Sequence, residues 1–195
     1  MGVKFSGVMG IQDRFLNLAV ASLLAIGSIF GPALAADQGR LERLYAQLQE
    51  ADPADARRLA GEIELEWSKS GSPAMDLLLK RGNDALEAGD WQAAIEHFTA
   101  LTDHAPNFAE GWYRRALAYG ATDLYGPAMA DIQRALALSP RHYDAIASLG
   151  GFLVRTGKPE LARRAFDGAL AIYPYHPEVT EALKHLDSQS GGKNI

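Results

Sequence analysis

Five histidines, at positions 97, 104, 142, 176 and 185, are the side chains in this sequence best suited to acid–base or metal chemistry. His97 and His104 fall two helical turns apart on one face, too far for the adjacent-turn pairing by which two imidazoles share a zinc ion. His142 and His176 read as equivalent loop positions, 34 residues apart. The chain has no cysteine, which removes thiol nucleophiles, thiolate ligands and disulfides together. No glycine-rich loop follows a strand-like run, and no serine lies in a nucleophile elbow. Carboxylates are scattered over outward faces as helix caps and solubilising charge. These patterns predict no catalytic centre, no metal and no cofactor, and turn attention to the residues that set shape and surface.

Those residues recur. Pro106, Pro140 and Pro174 stand at intervals of 34 residues, and so do Ala94, Ala128 and Ala162, then Phe98, Ile132 and Phe166, then Gly82, Ala116 and Gly150. A period of this length, with small, large apolar and proline residues in phase, indicates stacked pairs of helices. In the first period helix A runs from about Pro73 to Ala88, with Leu78, Gly82, Ala85 and Leu86 on one face. Gly89 ends it and Asp90 caps helix B, whose stripe is Trp91, Ala94, Ile95, Phe98 and Leu101. Ala105-Pro106 stops that helix, because the residue before proline disfavours the helical conformation. The second repeat opens with Asn107 as cap and Glu110 three residues on, a capping-box pattern. Its A face carries Trp112, Ala116 and Tyr119, its B face Ala128, Ile132 and Ala135. The third has Ile146, Leu149, Gly150 and Leu153, a break at Gly157, then Ala162, Phe166 and Ala169. The small residues at Gly82, Ala116 and Gly150 are expected to let two helix axes approach closely.

From Met75 to Pro174 the chain resembles the tetratricopeptide repeat family, whose pattern of Trp, Leu, Gly and Tyr in helix A, then Ala, Phe, Ala and Pro, is matched at Trp112, Leu149, Gly82, Gly150, Tyr119, Ala94, Ala128, Ala162, Phe98, Phe166, Ala135, Ala169 and the three prolines. Departures are Arg81 and Arg115 at the leucine position, Ile132 for phenylalanine, and Leu101 for alanine. The resemblance implies an all-α, right-handed superhelical solenoid of antiparallel helix pairs, with repeats at about 75–108, 109–142 and 143–176, and a non-catalytic role in holding another protein. In this family the A helices line the concave side. Carried over by phase, the groove residues are Leu79, Lys80, Asn83 and Glu87 in the first repeat, Tyr113, Arg114 and Leu117 in the second, and Ala147, Ser148, Gly151 and Arg155 in the third. An apolar floor with cations and one amide suits a protein or peptide segment bearing an acidic group, with Arg114 and Arg155 reaching for it beside the flat face of Tyr113. Some members clamp a terminal carboxylate with Lys and Asn; Lys80 and Asn83 echo this, but Lys80 is one residue out of phase and Arg114 stands where the matching Asn would be, so no clamp is assigned. The leading expectation is an envelope adaptor or co-chaperone. Its alternative is a structural subunit packing through the convex face or the end caps.

At the amino end, Lys4 and Arg14 precede an apolar run from Phe15 to Phe30, a Gly31-Pro32 break and Ala33-Leu34-Ala35, the layout of a secretory signal peptide over residues 1–35. The run is shorter than the roughly 20 residues that span a bilayer. Residues 36–72 read as a degenerate helical pair serving as an amino-terminal cap, since Leu44, Ala51 and Ala60 lie one period before Leu78, Ala85 and Ala94. Its stripes are Leu41, Leu44, Tyr45 and Leu48, then Leu59, Ile63 and Trp67 after Asp52-Pro53, with Glu64 at the Phe98 position. The stretch from Trp67 to Gly82 resembles the entry segment of a group of secreted Gram-negative tetratricopeptide proteins whose partners are not established. Residues 175–189 read as a solvating cap helix with Val179, Leu183 and Leu186 on one side, and 190–195 as a disordered tail. A formal net charge of −5 with dispersed basic residues argues against nucleic acid or an anionic membrane as partner. No later apolar stretch is long enough for a membrane anchor once the leader is cleaved, and the expected location is secreted or periplasmic. Mass spectrometry of the exported protein should find Ala36 or a close neighbour as its first residue; recovery with Met1 intact in the cytosol would contradict the leader.

Overall fold

The computed structural model describes residues 32–191, and side chains over 39–188. The described residues form helices α1 (Pro32–Glu50), α2 (Pro53–Trp67), α3 (Pro73–Glu87), α4 (Trp91–His104), α5 (Ala109–Ala121), α6 (Tyr125–Leu138), α7 (Tyr143–Arg155), α8 (Pro159–Leu170) and α9 (Pro177–Gly191). Residues up to Arg40 belong to one compact unit and Leu41–Ile195 to another. Of the first, the opening of α1 is described. The expected leader lies outside the described residues except for its last four, which are helical in α1. The rest of α1, from Leu41, and α2 to α9 belong to the second unit.

Local sequence accounts for most helix starts. Asp52 accepts from Ala54 N and Asp55 N at 2.9 and 3.0 Å ahead of Pro53, so a side chain and a proline together deal with amides that have no helical partner. Asp90 accepts from Ala93 N at 3.1 Å, as expected of it. The capping box at Asn107 and Glu110 is not formed. Phe108 takes the cap position of α5 without a side-chain bond, and the Glu110 carboxylate turns inward to His142 and Arg114, where charge-assisted bonds outcompete a solvent-exposed cap. His142 and His176 stand, as expected, at equivalent loop positions just before α7 and α9, but both are buried, and His142 caps α7 by accepting from Ala145 N through Nδ1 at 3.3 Å. The turns between paired helices need a left-handed residue, supplied by Gly89 (φ 73°) and Gly157 (φ 72°). At the same position in the second repeat Asp123 adopts φ 59°, which costs a residue with a Cβ about 1–2 kcal/mol.

Within each pair the small residue admits the large one. A Cβ built on Gly82 would lie 2.3 Å from Phe98 Cε1, and one on Gly150 2.4 Å from Phe166 Cε1. Only the absence of a side chain lets each ring sit on the opposite helix. In the second repeat the position is Ala116, and its counterpart is the smaller Ile132; both are fully buried in one cluster. The departure from phenylalanine is therefore matched by the added methyl group. A similar trade holds between repeats, since a Cβ on Gly120 of α5 would meet the Phe152 ring of α7 at 2.4 Å. Leu101, large where alanine is usual, faces Gly111 on α5, where a Cβ would come within 3.1 Å of its Cγ.

Arg115 occupies a leucine position because every nitrogen of its head meets an acceptor. Its Nε and Nη2 donate to the Asp131 carboxylate at 2.7 and 2.9 Å, Nη1 donates to Thr102 Oγ1 at 3.0 Å, and the guanidinium lies 4.9 Å from the Trp112 ring centroid. Burying a charge is tolerable only with such pairing. Trp91, expected in the apolar stripe of α4, instead keeps 38 % of its surface exposed.

The amino-terminal pair, expected as an end cap, packs its apolar face on the third repeat. Leu44, Tyr45 and Leu48 of α1 and Ala56, Leu59, Ala60, Ile63 and Trp67 of α2 form one buried cluster with Tyr143 and Tyr173. Tyr45 Oη donates to Arg141 O at 3.1 Å, Gln49 Nε2 donates to Ala171 O at 2.9 Å, and Tyr143 Oη donates to Ala60 O at 3.3 Å. At the other end Val179 and Leu186 of α9 close over Leu153, Ala162, Phe166 and Ala169, and the helix runs through Gly191. Replacing Gly82 by Ala or Phe98 by Ile should each destabilise, the first by crowding and the second by a void. The double variant, which reproduces the Ala116 and Ile132 pairing, should be more stable than the sum of the two by about 0.5–3 kcal/mol. Urea unfolding of the four proteins measures this, and simple additivity would mean the ring does not rest on the glycine.

Candidate partner-binding groove

Residues one period apart converge on the same hollows. Tyr113 and Arg114 from α5 and Ala147, Ser148 and Gly151 from α7 line a cavity of about 660 Å³. One wall of it comes from α2, through Arg57, Ala60 and Glu64, and the far side from Tyr173, His176, Glu178 and Ala182. A second hollow of about 670 Å³ shares Ser148, Gly151, Phe166 and Ala182 with the first and adds Asp123, Tyr125 and Arg155. Leu79, Lys80, Asn83 and Glu87 gather around a separate hollow of about 470 Å³ with Ser68 and Lys69. Leu117 packs into the core beside Tyr113 and Ala116. The wall from α2 had no signal in the repeat phase, because it depends on a contact between segments far apart in the chain.

The cations expected to await a partner already hold carboxylates. Lys80 Nζ is 2.7 Å from Asp84 Oδ2, Arg114 Nε donates to Glu110 Oε1 at 2.6 Å, and Arg155 meets Asp123 Oδ1 at 3.0 Å and Tyr125 Oη at 2.8 Å. The two exposed pairs are worth little and exchange readily with solvent or a ligand. The third is different, because Glu110 is 3 % exposed. Tyr113 is also buried and tilts against the His142 ring, centroids 4.6 Å apart, so it does not offer a flat open face.

Glu110 joins a buried polar chain that the sequence reading missed. His142 Nδ1 accepts from Ala145 N, so its Nε2 carries the proton and donates to Glu110 Oε2 at 2.9 Å. The imidazole stacks on Trp67, centroids 3.8 Å apart, and Trp67 Nε1 donates to Tyr45 Oη at 3.1 Å. Burial alone would raise the Glu110 pKa, but the bonds from His142 and Arg114 outweigh it and hold the carboxyl below its usual value. The arrangement recurs one repeat later, where His176 Nε2 lies 3.0 Å from Asp144 Oδ1. A signal was present: histidine at 142 and 176 and a carboxylate at 110 and 144 share the same interval. Among the described residues no group of three or more His, Asp or Glu is placed to hold a metal ion.

Comparison with known proteins agrees with this architecture. The model of the tetratricopeptide repeat family matches residues 79–125 and 125–177. A TPR repeat-containing protein of Rhizobium etli is 33 % identical over 154 residues, 78 % of this chain and 76 % of that protein. The heat-shock protein cognate co-chaperone sgt12 of Aspergillus fumigatus is 30 % identical over 122 residues, 62 % of this chain and 36 % of its own length. Among solved structures, the second TPR domain of human RPAP3, in complex with the HSP70 peptide SGPTIEEVD, is 25 % identical with a TM-score of 0.55, covering 58 % of this chain and 96 % of that one.

Because the folded-state pKa of Glu110 lies below its unfolded value of 4.5, its ionised form contributes stability that is complete above that value and is lost as pH falls through the folded pKa. Glu110→Gln should cost about 1–3 kcal/mol at neutral pH through poorer bonding of buried His142, and its melting temperature should fall less steeply than wild type below pH about 4.5. Thermal melts across pH test both; parallel curves would show that Glu110 is not the acid-sensitive link.

Proposed function

Because the chain belongs to the tetratricopeptide repeat family, we propose that it is a protein-interaction module whose α5 and α7 hold a segment of a partner protein, and that it works as an adaptor or co-chaperone in the cell envelope. The observation that carries the reading is the pair of adjoining hollows, joined through Ser148 and Gly151 and open beside the A helices. A peptide-bound domain of the same fold at 25 % identity and a co-chaperone relative support the choice of a peptide segment as ligand. The envelope assignment rests on the apolar run and Ala33-Leu34-Ala35. No helix among the described residues is long and apolar enough to cross a membrane.

Gly151 provides the test. A Cβ there meets nothing within 4 Å, so Gly151→Trp fills the junction of the two hollows without touching the core. Gly126 is equally open and lines neither hollow, so Gly126→Trp is the control. Circular dichroism and melting temperature should be unchanged in both variants, while Gly151→Trp alone should lower partner capture by roughly tenfold or more, as loss of a central contact does. Capture retained in full by Gly151→Trp would move the binding surface off the groove and favour the structural-subunit reading.

A further inference from the structure

We propose, resting on the groove reading above, that the 660 Å³ cavity selects a lysine or arginine side chain of the bound partner segment, with Glu64 on α2 and Asp144 on α7 as the residues that recognise it. The volume is that of a site for a long side chain together with its backbone. Carboxylates enter it from three elements: Glu64, Asp144 in the first turn of α7, and Glu178 in the first turn of α9. Against them stand Arg57 and Arg114, and Arg114 is already committed to buried Glu110 at 2.6 Å. Negative charge is therefore in excess within the cavity.

Two further observations point to a missing N–H donor. His176, buried against the cavity, directs Nε2 at Asp144 Oδ1, and its buried Nδ1 makes no hydrogen bond. Its counterpart His142 has that nitrogen satisfied by Ala145 N. With the proton on Nε2, Nδ1 of His176 presents a lone pair, and the group beside it, Glu178 Oε2 at 3.0 Å, is an acceptor as well. Glu178 is highly exposed and free to swing aside, so an ammonium or guanidinium N–H entering here meets a buried acceptor that lacks a donor, with a carboxylate beside it. Glu64 fits the same picture: although its side chain reaches solvent, partial burial at the cavity wall and then the neighbouring Asp144 raise its pKa, with Glu110 and Glu178 adding to the effect and Arg114 opposing it, a condition an incoming cation relieves. Phe166, Tyr173 and Ala147 supply apolar surface along which the methylene stem of a lysine or arginine lies while its head meets the carboxylates.

The full chain is incubated with an array of random peptides whose ends are blocked. Wild type should retain peptides enriched in Lys or Arg at one position. Glu64→Gln with Asp144→Asn, which keeps an oxygen acceptor for His176, should lose that preference and bind the selected peptides roughly tenfold or more weakly, the effect of removing one partner of a charge pair that the bound segment covers. Glu64→Gln alone, a change at an exposed position, should weaken them in the same direction. Wild-type binding without a basic preference, or an unchanged preference in the double variant, overturns the proposal and leaves the groove reading intact. Binding of no peptide by wild type, or equal binding by Gly151→Trp, overturns both.

Discussion

The structure depends on a phenyl ring resting where a helix has no side chain. Phe98 over Gly82 and Phe166 over Gly150 put ring atoms inside the space a Cβ would fill, so the separation of the two helices in each pair is set by backbone against ring. The second repeat reaches the same end with Ala116 and Ile132. Phe152 on Gly120 brings α7 close to α5 in the next layer. Close spacing of successive A helices is what allows side chains one period apart, Tyr113 with Ala147 and Arg114 with Ser148, to line one hollow. In a repeat stack each unit is stabilised chiefly by its neighbours, and these contacts are how that stabilisation is delivered.

Polar bonds link the same layers. Glu110 to His142 and Asp144 to His176 each tie the start of one A helix to the residue that precedes the next. A buried carboxylate is costly unless its lone pairs are filled, and Glu110 fills them with His142 on one side and Arg114 on the other. The outcome constrains function. An arginine that neutralises a buried acid cannot also serve as an uncommitted cation for a partner, so the charge character of the groove differs from what its surface residues suggest when counted one by one.

The position of α2 matters most for the groove. Trp67 stacks on His142, Tyr143 reaches Ala60 O, and Tyr45 reaches Arg141 O, which together hold α2 beside the A helices of the second and third repeats. Arg57, Ala60 and Glu64 thereby become a wall of the cavity. The hollow that a partner segment would enter is bounded on one side by a helix outside the regular repeats, and Glu64, out of place as a counterpart of Phe98, has its use there.

The sequence by itself determined the repeat: the 34-residue interval, the two helices in each period, the glycine turns at Gly89 and Gly157, and the seating of small residues against large ones. These follow from local rules of helix formation and from contacts between residues at a constant separation, which leave a periodic trace. The phase also placed Tyr113, Ser148 and Gly151 on one surface. Three things were decided only by the tertiary structure. The pairing of Arg114 with Glu110 and of Arg155 with Asp123 depends on side-chain direction, which spacing does not encode. Burial of His142 depends on Trp67 arriving from another part of the chain. The docking of α1 and α2 on the third repeat joins Tyr45 to Arg141 and Gln49 to Ala171, and contacts between segments so far apart occur once, so they leave no period to read.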